Sequence, residues 1–253
     1  MSGVLRHIWR YPLKAHGREE LESVTLTKGH TMPFDRHWAV AHDRAKFDPA
    51  KPAWAACANF NIGSRDPKLT AINATYEDTT GALTLTHPER SEITFNPDKQ
   101  ADCWRFLDWV EPLIDADRPR PASVVKAPDR GMTDTDFPSI SLHSMASHIA
   151  LEDLAGQSLS PKRWRGNLWF DGLSPWEERD WIGKSVQIGE VILAVREPIG
   201  RCKMTTTNPE TGVRDFDTLA VLDKAFGHLD FGVYAEVING GALRIGDTLD
   251  VLT

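Results

Sequence analysis

Cysteine is scarce: three in 253 residues, an odd count with no Cys-x-x-Cys pair. That excludes a disulfide framework and a four-ligand structural zinc site, and it fits a reducing compartment. Long apolar runs are missing too: no stretch approaches the roughly 18 apolar residues of a membrane span. The start, MSGVLRHIWRYP, lacks the charged lead and apolar run of a secretory signal. The expectation is a cytoplasmic protein that does not enter a membrane. The nine histidines show no His-x-His or His-Glu-x-x-His spacing, which argues against a zinc hydrolase. No phosphate loop and no Rossmann glycine pattern occurs, which argues against bound nicotinamide or flavin. The net charge of −7 argues against a general nucleic-acid binder, although a local basic pocket remains compatible with it.

Hydrophobic residues make up 41% of the chain, enough for one large core or two small ones. Most of the nine tryptophans are expected to fill core space. Short segments rich in β-branched or aromatic residues read as strands at 4–11 (stopped by Pro12), 21–27 and 36–42. Three pairs of runs read as hairpins: 69–76 with 82–86, 185–188 with 191–195, and 243–245 with 248–251. Trp104, Leu107, Val110 and Ile114 recur at helical spacing. A strand at 139–143 leads to Ser144, which caps a second helix running to about Ala155 and closed by Gly156. Strands dominate without β-α-β alternation, which favours a β-rich α+β fold with a mixed sheet or barrel and a few flanking helices. The charged, proline-bearing run 115–121 and the polar run 130–138 are candidate boundaries. They suggest an amino-terminal region 1–120 and a domain 121–253, with strands shared between them.

The most informative segment is EPIGRCKMTTTNPETGVRD, residues 197–215. Cys202 sits between Arg201 and Lys203, and cationic neighbours favour the thiolate, the form that attacks or binds metal. Residues 208–212 read as a tight turn. A buried cysteine on a strand leading into a turn is the plain alternative. Cys57, in the small apolar run 54–58, and Cys103, beside Trp104, read as buried structural cysteines.

Arg201, Cys202, Thr206, Pro209, Thr211 and Gly212 together resemble the cysteine motif of MOSC domains, most closely the amidoxime-reducing component and its bacterial relatives. Tyr11-Pro12-Leu13-Lys14 resembles the family's Tyr-Pro-x-Lys. Asp35-Arg36-His37-Trp38 resembles its Asp-Arg-x-Trp, and Trp164-Arg165-Gly166-Asn167 its aromatic-Arg-Pro-Asn. Phe231-Gly232-Val233-Tyr234 resembles its Phe-Gly-x-Tyr, and Ile245-Gly246-Asp247 its closing strand pair. The ordered set covers nearly the whole chain. It implies a MOSC β-barrel core packed with an N-terminal β-barrel-like region.

The resemblance further implies a molybdenum–molybdopterin cofactor with Cys202 as metal ligand and catalytic residue. Soft thiolate suits such a centre. Lys14, Arg36 and Arg165 fall where the family holds the cofactor's phosphate, a role cations serve well. Arg201 flanks the metal, Tyr234 matches the aromatic near the pterin, and Asp136 aligns with a loop that contacts the cofactor. The implied activity is reduction of N-hydroxylated small molecules. With no cysteine cluster for an iron–sulfur centre, electrons are expected from a separate ferredoxin or flavoprotein. Two other readings stay open: a non-catalytic carrier of molybdenum cofactor or sulfur, and a metal-free thiol enzyme using Cys202. The chain departs from the family at Ala15 and Gly200, where serine is frequent, and at Gly166, where proline is.

Overall fold

A computed structural model describes residues 2–252. The amino-terminal half opens with β1 (Gly3–Arg10), β2 (Glu19–Leu21), β3 (Ser23–Leu26) and β4 (Trp38–His42). It continues through β5 (Asn73–Glu77), β6 (Ala82–His87) and β7 (Arg90–Phe95) to α1 (Gln100–Val110) and β8 (Pro121–Lys126). Then follow β9 (Ile140–Ser144), α2 (Met145–Ala155), β10 (Leu168–Asp171), β11 (Ser185–Ile188) and β12 (Val191–Gly200). The chain closes with α3 (Thr218–Phe226), β13 (Asp230–Asn239), β14 (Gly241–Arg244) and β15 (Thr248–Leu252).

Seven strands form a closed barrel in the order β10–β9–β13–β12–β11–β15–β1, with β1 pairing back onto β10. Closure leaves none of the seven as a bare edge. The one parallel pair described, β9 with β10, is joined through α2, the crossover that parallel strands need. Strand alternation fills the interior: Val186 and Ile188 on β11, and Ala235 and Val237 on β13, are buried between more exposed neighbours. Because β1 is a barrel strand, residues 3–10 complete a sheet built mostly from residues after 140.

The rest of the amino-terminal half packs around a second core. The meander β5–β6–β7 covers α1, and Phe95 stacks on Phe106 at 4.5 Å. A third, aromatic cluster of Trp9, Tyr11, Trp164, Trp169 and Phe231 joins the two halves.

The hairpin expected over 69–86 forms over 73–87, its first residues instead closing a 3-10 turn (Pro67–Ala71); the 185–195 hairpin forms as expected, and Ser144 caps α2 by accepting from the Ser147 amide. Two expectations are corrected. The run 243–251 is not a hairpin: β14 pairs with β3, and β15 with β11 and β1. The Ile-Gly-Asp turn there passes the chain from one sheet to another, a choice set by tertiary pairing. On α1, Trp104 points outward at 57% exposure, and the buried stripe runs through Cys103, Phe106, Leu107 and Val110.

Candidate functional site

Pro12 ends β1, and the chain turns back against residues 35–38. Arg36 N donates to Tyr11 O at 2.6 Å, Trp38 N to Pro12 O at 3.2 Å, and Lys14 N to Trp38 O at 2.7 Å. Asp35, nearly fully buried, accepts from the Tyr11 amide at 2.9 Å and from Arg36 Nη1 at 2.5 Å. Residues 131–134 lie against this pair: Met132 N donates to Arg36 O, and Lys14 Nζ donates to Met132 O at 2.6 Å and to Asp134 Oδ1 at 2.5 Å.

From the other half come Trp164 and Arg165. Arg165 ends a 3-10 turn (Pro161–Trp164) in the left-handed conformation, φ 50°. Asn167 locks that corner, accepting from the Ser141 amide and hydroxyl and donating to Trp9 O. Bulges between Val195 and Glu197 and between Pro198 and Gly200 bend β12 just before Arg201 and Cys202. Arg201 donates to Phe231 O at 2.8 Å from Nε and to Trp164 O at 2.8 Å from Nη1, so it fastens the cysteine strand to two neighbouring segments.

The loop after Cys202 is anchored as firmly. Buried Arg18 donates to Thr70 O at 2.8 Å and to Pro209 O at 2.9 Å, tying the 208–212 turn to the amino-terminal half. Gly212, φ +70°, packs so close to Lys68 that a Cβ would lie 2.8 Å from its Cα. Glycine is required there both by backbone conformation and by space.

These segments enclose a cavity of about 90 Å³ lined by Lys14, Ala15, Arg36, Cys57, Asp134, Arg165, Arg201, Cys202, Met204 and Tyr234, among others. Six of the seven residues singled out from the sequence converge on it: Lys14, Arg36, Arg165, Arg201, Cys202 and Tyr234. The seventh, Asp136, does not. It is exposed, and its backbone carbonyl accepts from Arg130; Asp134, two residues earlier, lines the cavity instead. Cys57 also departs from its expected role as a buried structural thiol. It lines the cavity and donates to Asp134 Oδ1 at 3.1 Å. Cys103 is buried as expected, its thiol donating to Pro97 O.

Among the described residues five non-glycine residues have positive φ, and three of them, Ala15, Arg36 and Arg165, line this cavity. Such conformations are costly and cluster at binding sites. The charge is unbalanced. Lys14 faces Asp134 and Arg36 faces Asp35, but Arg165 and Arg201 have no carboxylate partner among the described residues. Burial pushes both guanidinium pKa values down to about 10, so both stay charged at neutral pH. Burial also raises the Cys57 thiol to about 11, helped by the Asp134 charge. Desolvation at the cavity wall works to raise the half-exposed Asp134, but the Lys14 and Arg36 charges hold its carboxyl well below the usual carboxylate range. Ser64 is shared with a broad open groove of about 1090 Å³, on whose wall Lys203 stands.

The MOSC domain family matches residues 132–250, and the MOSC N-terminal beta barrel domain family matches residues 2–115. The mitochondrial amidoxime-reducing component 1 of Mus musculus is 24% identical over 297 residues, covering 99% of this chain and 82% of that protein. Mitochondrial amidoxime reducing component 2 of Bos taurus is 24% identical, covering 97% and 82%. The molybdenum cofactor sulfurase of Anopheles gambiae is 36% identical over 83 residues, 32% of this chain and 10% of that protein. Among solved structures, the YUAD protein of Bacillus subtilis aligns with a TM-score of 0.45 at 11% identity, covering 99% of this chain and 96% of that one.

Proposed function

The chain belongs to the MOSC domain family, and from that premise we propose that it holds a molybdenum–pterin cofactor through Cys202 and reduces N-hydroxylated small molecules. The observation that carries this reading is Arg165. It is 7% exposed, lines the cavity, has no carboxylate partner among the described residues, and donates to a single protein acceptor, Gly17 O at 3.2 Å. A buried cation in that state is costly unless an anion completes it.

The residues present fit such a cofactor. Two cations in excess of carboxylates suit a phosphate. Cys202, exposed on the same cavity, offers the soft sulfur that molybdenum favours. In this reading Arg165 and Arg36 hold the phosphate with their planar forks, and Lys14 adds a charge already oriented by Asp134 and Met132 O. Arg201 sets the direction of the cysteine strand through its two carbonyl acceptors, and Tyr234 closes one wall. When bound, the cofactor supplies two-electron transfer that releases the substrate's N-bound oxygen as water. The protein orients the substrate at the mouth, where Cys202 and Lys203 are exposed. Electrons come from a separate ferredoxin or flavoprotein. The similarity to the amidoxime-reducing components along nearly the full chain supports a reductase over a carrier.

The test is molybdenum and pterin content of the purified protein, wild type beside Cys202→Ser, with turnover of an amidoxime driven by a reduced viologen. Equimolar molybdenum and pterin with turnover in wild type, and loss of turnover in the variant, are expected. Bound pterin without turnover of any N-hydroxylated compound would select the carrier reading. A wild type free of metal and pterin, from cells that load a control molybdoenzyme, would overturn both.

A further inference from the structure

The molecule places a second thiol in the same cavity as Cys202. Cys57 belongs to a short 3-10 turn (Cys57–Asn59) in the long connection between β4 and β5. That connection is pinned on both sides of the thiol: Trp54 Nε1 donates to Thr133 O at 2.9 Å, and the His42 ring bonds Ala58 O at 2.8 Å. The Cys57 sulfur is thereby held against Asp134, on the cavity wall, rather than in the apolar core. Cys202 reaches the same cavity from the end of β12. The volume between the lining groups is about 90 Å³, roughly the share of three water molecules in the liquid. Residues 43–56 contain no strand or helix, so small adjustments there break no ladder.

We propose that Cys57 and Cys202 form a reversible disulfide in the cofactor-free protein, bridging the cavity and keeping Cys202 from irreversible oxidation. The protective role rests on the reading of Cys202 as the metal ligand; the cross-link itself does not. A peroxide is the oxidant. Cys202, exposed, meets it first: sulfur attacks one peroxide oxygen, the O–O bond breaks, and sulfenic acid and one water result. Cys57 sulfur then attacks Cys202 sulfur, and the S–O bond breaks. The departing hydroxide takes up the Cys57 proton and leaves as a second water, while Asp134, which accepts from the thiol at 3.1 Å, holds Cys57 at the cavity wall. The two thiols lose two electrons in all, and the peroxide gains them. Bound cofactor, by occupying Cys202, blocks the reaction. Cys103, buried at 4% exposure on α1, stays outside it.

The experiment treats the full-length chain, purified from cells unable to make molybdopterin, with hydrogen peroxide, and maps cysteines by non-reducing peptide mass spectrometry. A Cys57–Cys202 linked peptide, reversed by dithiothreitol, is expected, with Cys103 still free. In Cys57→Ser and Cys57→Ala, Cys202 should instead advance to sulfinic and sulfonic acid at least several-fold faster than in wild type. Wild-type Cys202 that over-oxidises as fast as in the variants, with no linked peptide, overturns the proposal. Pterin content decides the cofactor reading separately: a cross-link in a protein that never loads pterin would sink that reading while leaving the disulfide standing.

Discussion

The guanidinium carbon of Arg165 lies 4.2 Å from the centre of the Tyr11 ring, and that of Arg36 lies 4.5 Å from it. Tyr11 is fully buried, and its hydroxyl donates to Gly166 O at 3.0 Å. One aromatic ring therefore supports two cations from distant parts of the chain. A cation over a ring face is stabilised by about 0.5–2 kcal/mol, far less than the desolvation of a buried charge. The remainder is the cost that, in the function proposed above, a bound anion would offset.

Arg165→Met follows directly. Pterin retention should fall about 10- to 100-fold, the loss of one or two charge-assisted hydrogen bonds. The cofactor-free variant should melt at the same temperature or higher, because an unpaired buried charge is gone. Pterin content and a thermal melt of the cofactor-free protein check both halves. A lower melting temperature with unchanged pterin would make Arg165 a structural residue.

Cys202→Ser should abolish turnover and leave the fold intact. Cys202 is exposed, so its side chain contributes little packing. Circular dichroism and the urea midpoint of the cofactor-free chains should match within about 0.5 kcal/mol. A collapsed variant would recast this cysteine as a core residue.

Gly166 stands where relatives often carry proline, and the structure supplies the reason. A Cβ at Gly166 would lie 2.0 Å from His143 Cδ2, and one at Gly232 would lie 2.4 Å from the same ring. His143 fills the space between Trp169 and Phe231, stacked at 4.7 and 5.9 Å. Gly166→Ala should destabilise by about 1–3 kcal/mol or more through overpacking. Adding His143→Ala should recover part of the loss. Strict additivity in that double-mutant cycle would show that the two positions do not compete for space.

Acid should destabilise the cofactor-free chain earlier than carboxylate titration alone would. Burial lowers His16 to about 4 and holds His143 well below its ordinary value, so both are neutral when folded. Below about pH 6.5 the unfolded chain takes up protons that the folded chain refuses, and stability falls with pH. His16 alone costs about 2 kcal/mol at pH 5. Buried Glu178, its carboxyl raised by burial, acts in the opposite sense. The informative comparison is therefore His143→Phe, in which the loss between pH 7.5 and pH 5 should shrink. An identical slope in urea unfolding would exclude His143 as a contributor.

The six cavity-lining residues named from the sequence came from ordered short motifs that resemble the MOSC family; local chemistry alone left Cys202 open to a plain buried reading. Cys57 was not legible. Its neighbours in the run 54–58 are alanine and tryptophan, which read as core, and only the pinning of Trp54 to Thr133 O brings the thiol to the cavity. Asp134 and Asp136 share one polar loop, and nothing local says which faces inward. The ion pair with Lys14, 120 residues away in sequence, selects Asp134. Trp104 misled because hydrophobic spacing on α1 is satisfied equally by a stripe shifted by one residue.

Alternation, turn chemistry and residue type, all local, sufficed for the β-rich class, the capped helix after Ser144 and two hairpins, while the cations and thiol of the cavity were named through the family resemblance of their motifs. Only the tertiary arrangement makes β1 close a barrel of later strands, sends β14 and β15 to different partners, and leaves Arg165 and Arg201 without a carboxylate partner among the described residues. Barrel closure and charge balance depend on groups far apart in the chain. Their energies, edge pairing in one case and desolvation in the other, arise only once those groups are brought together.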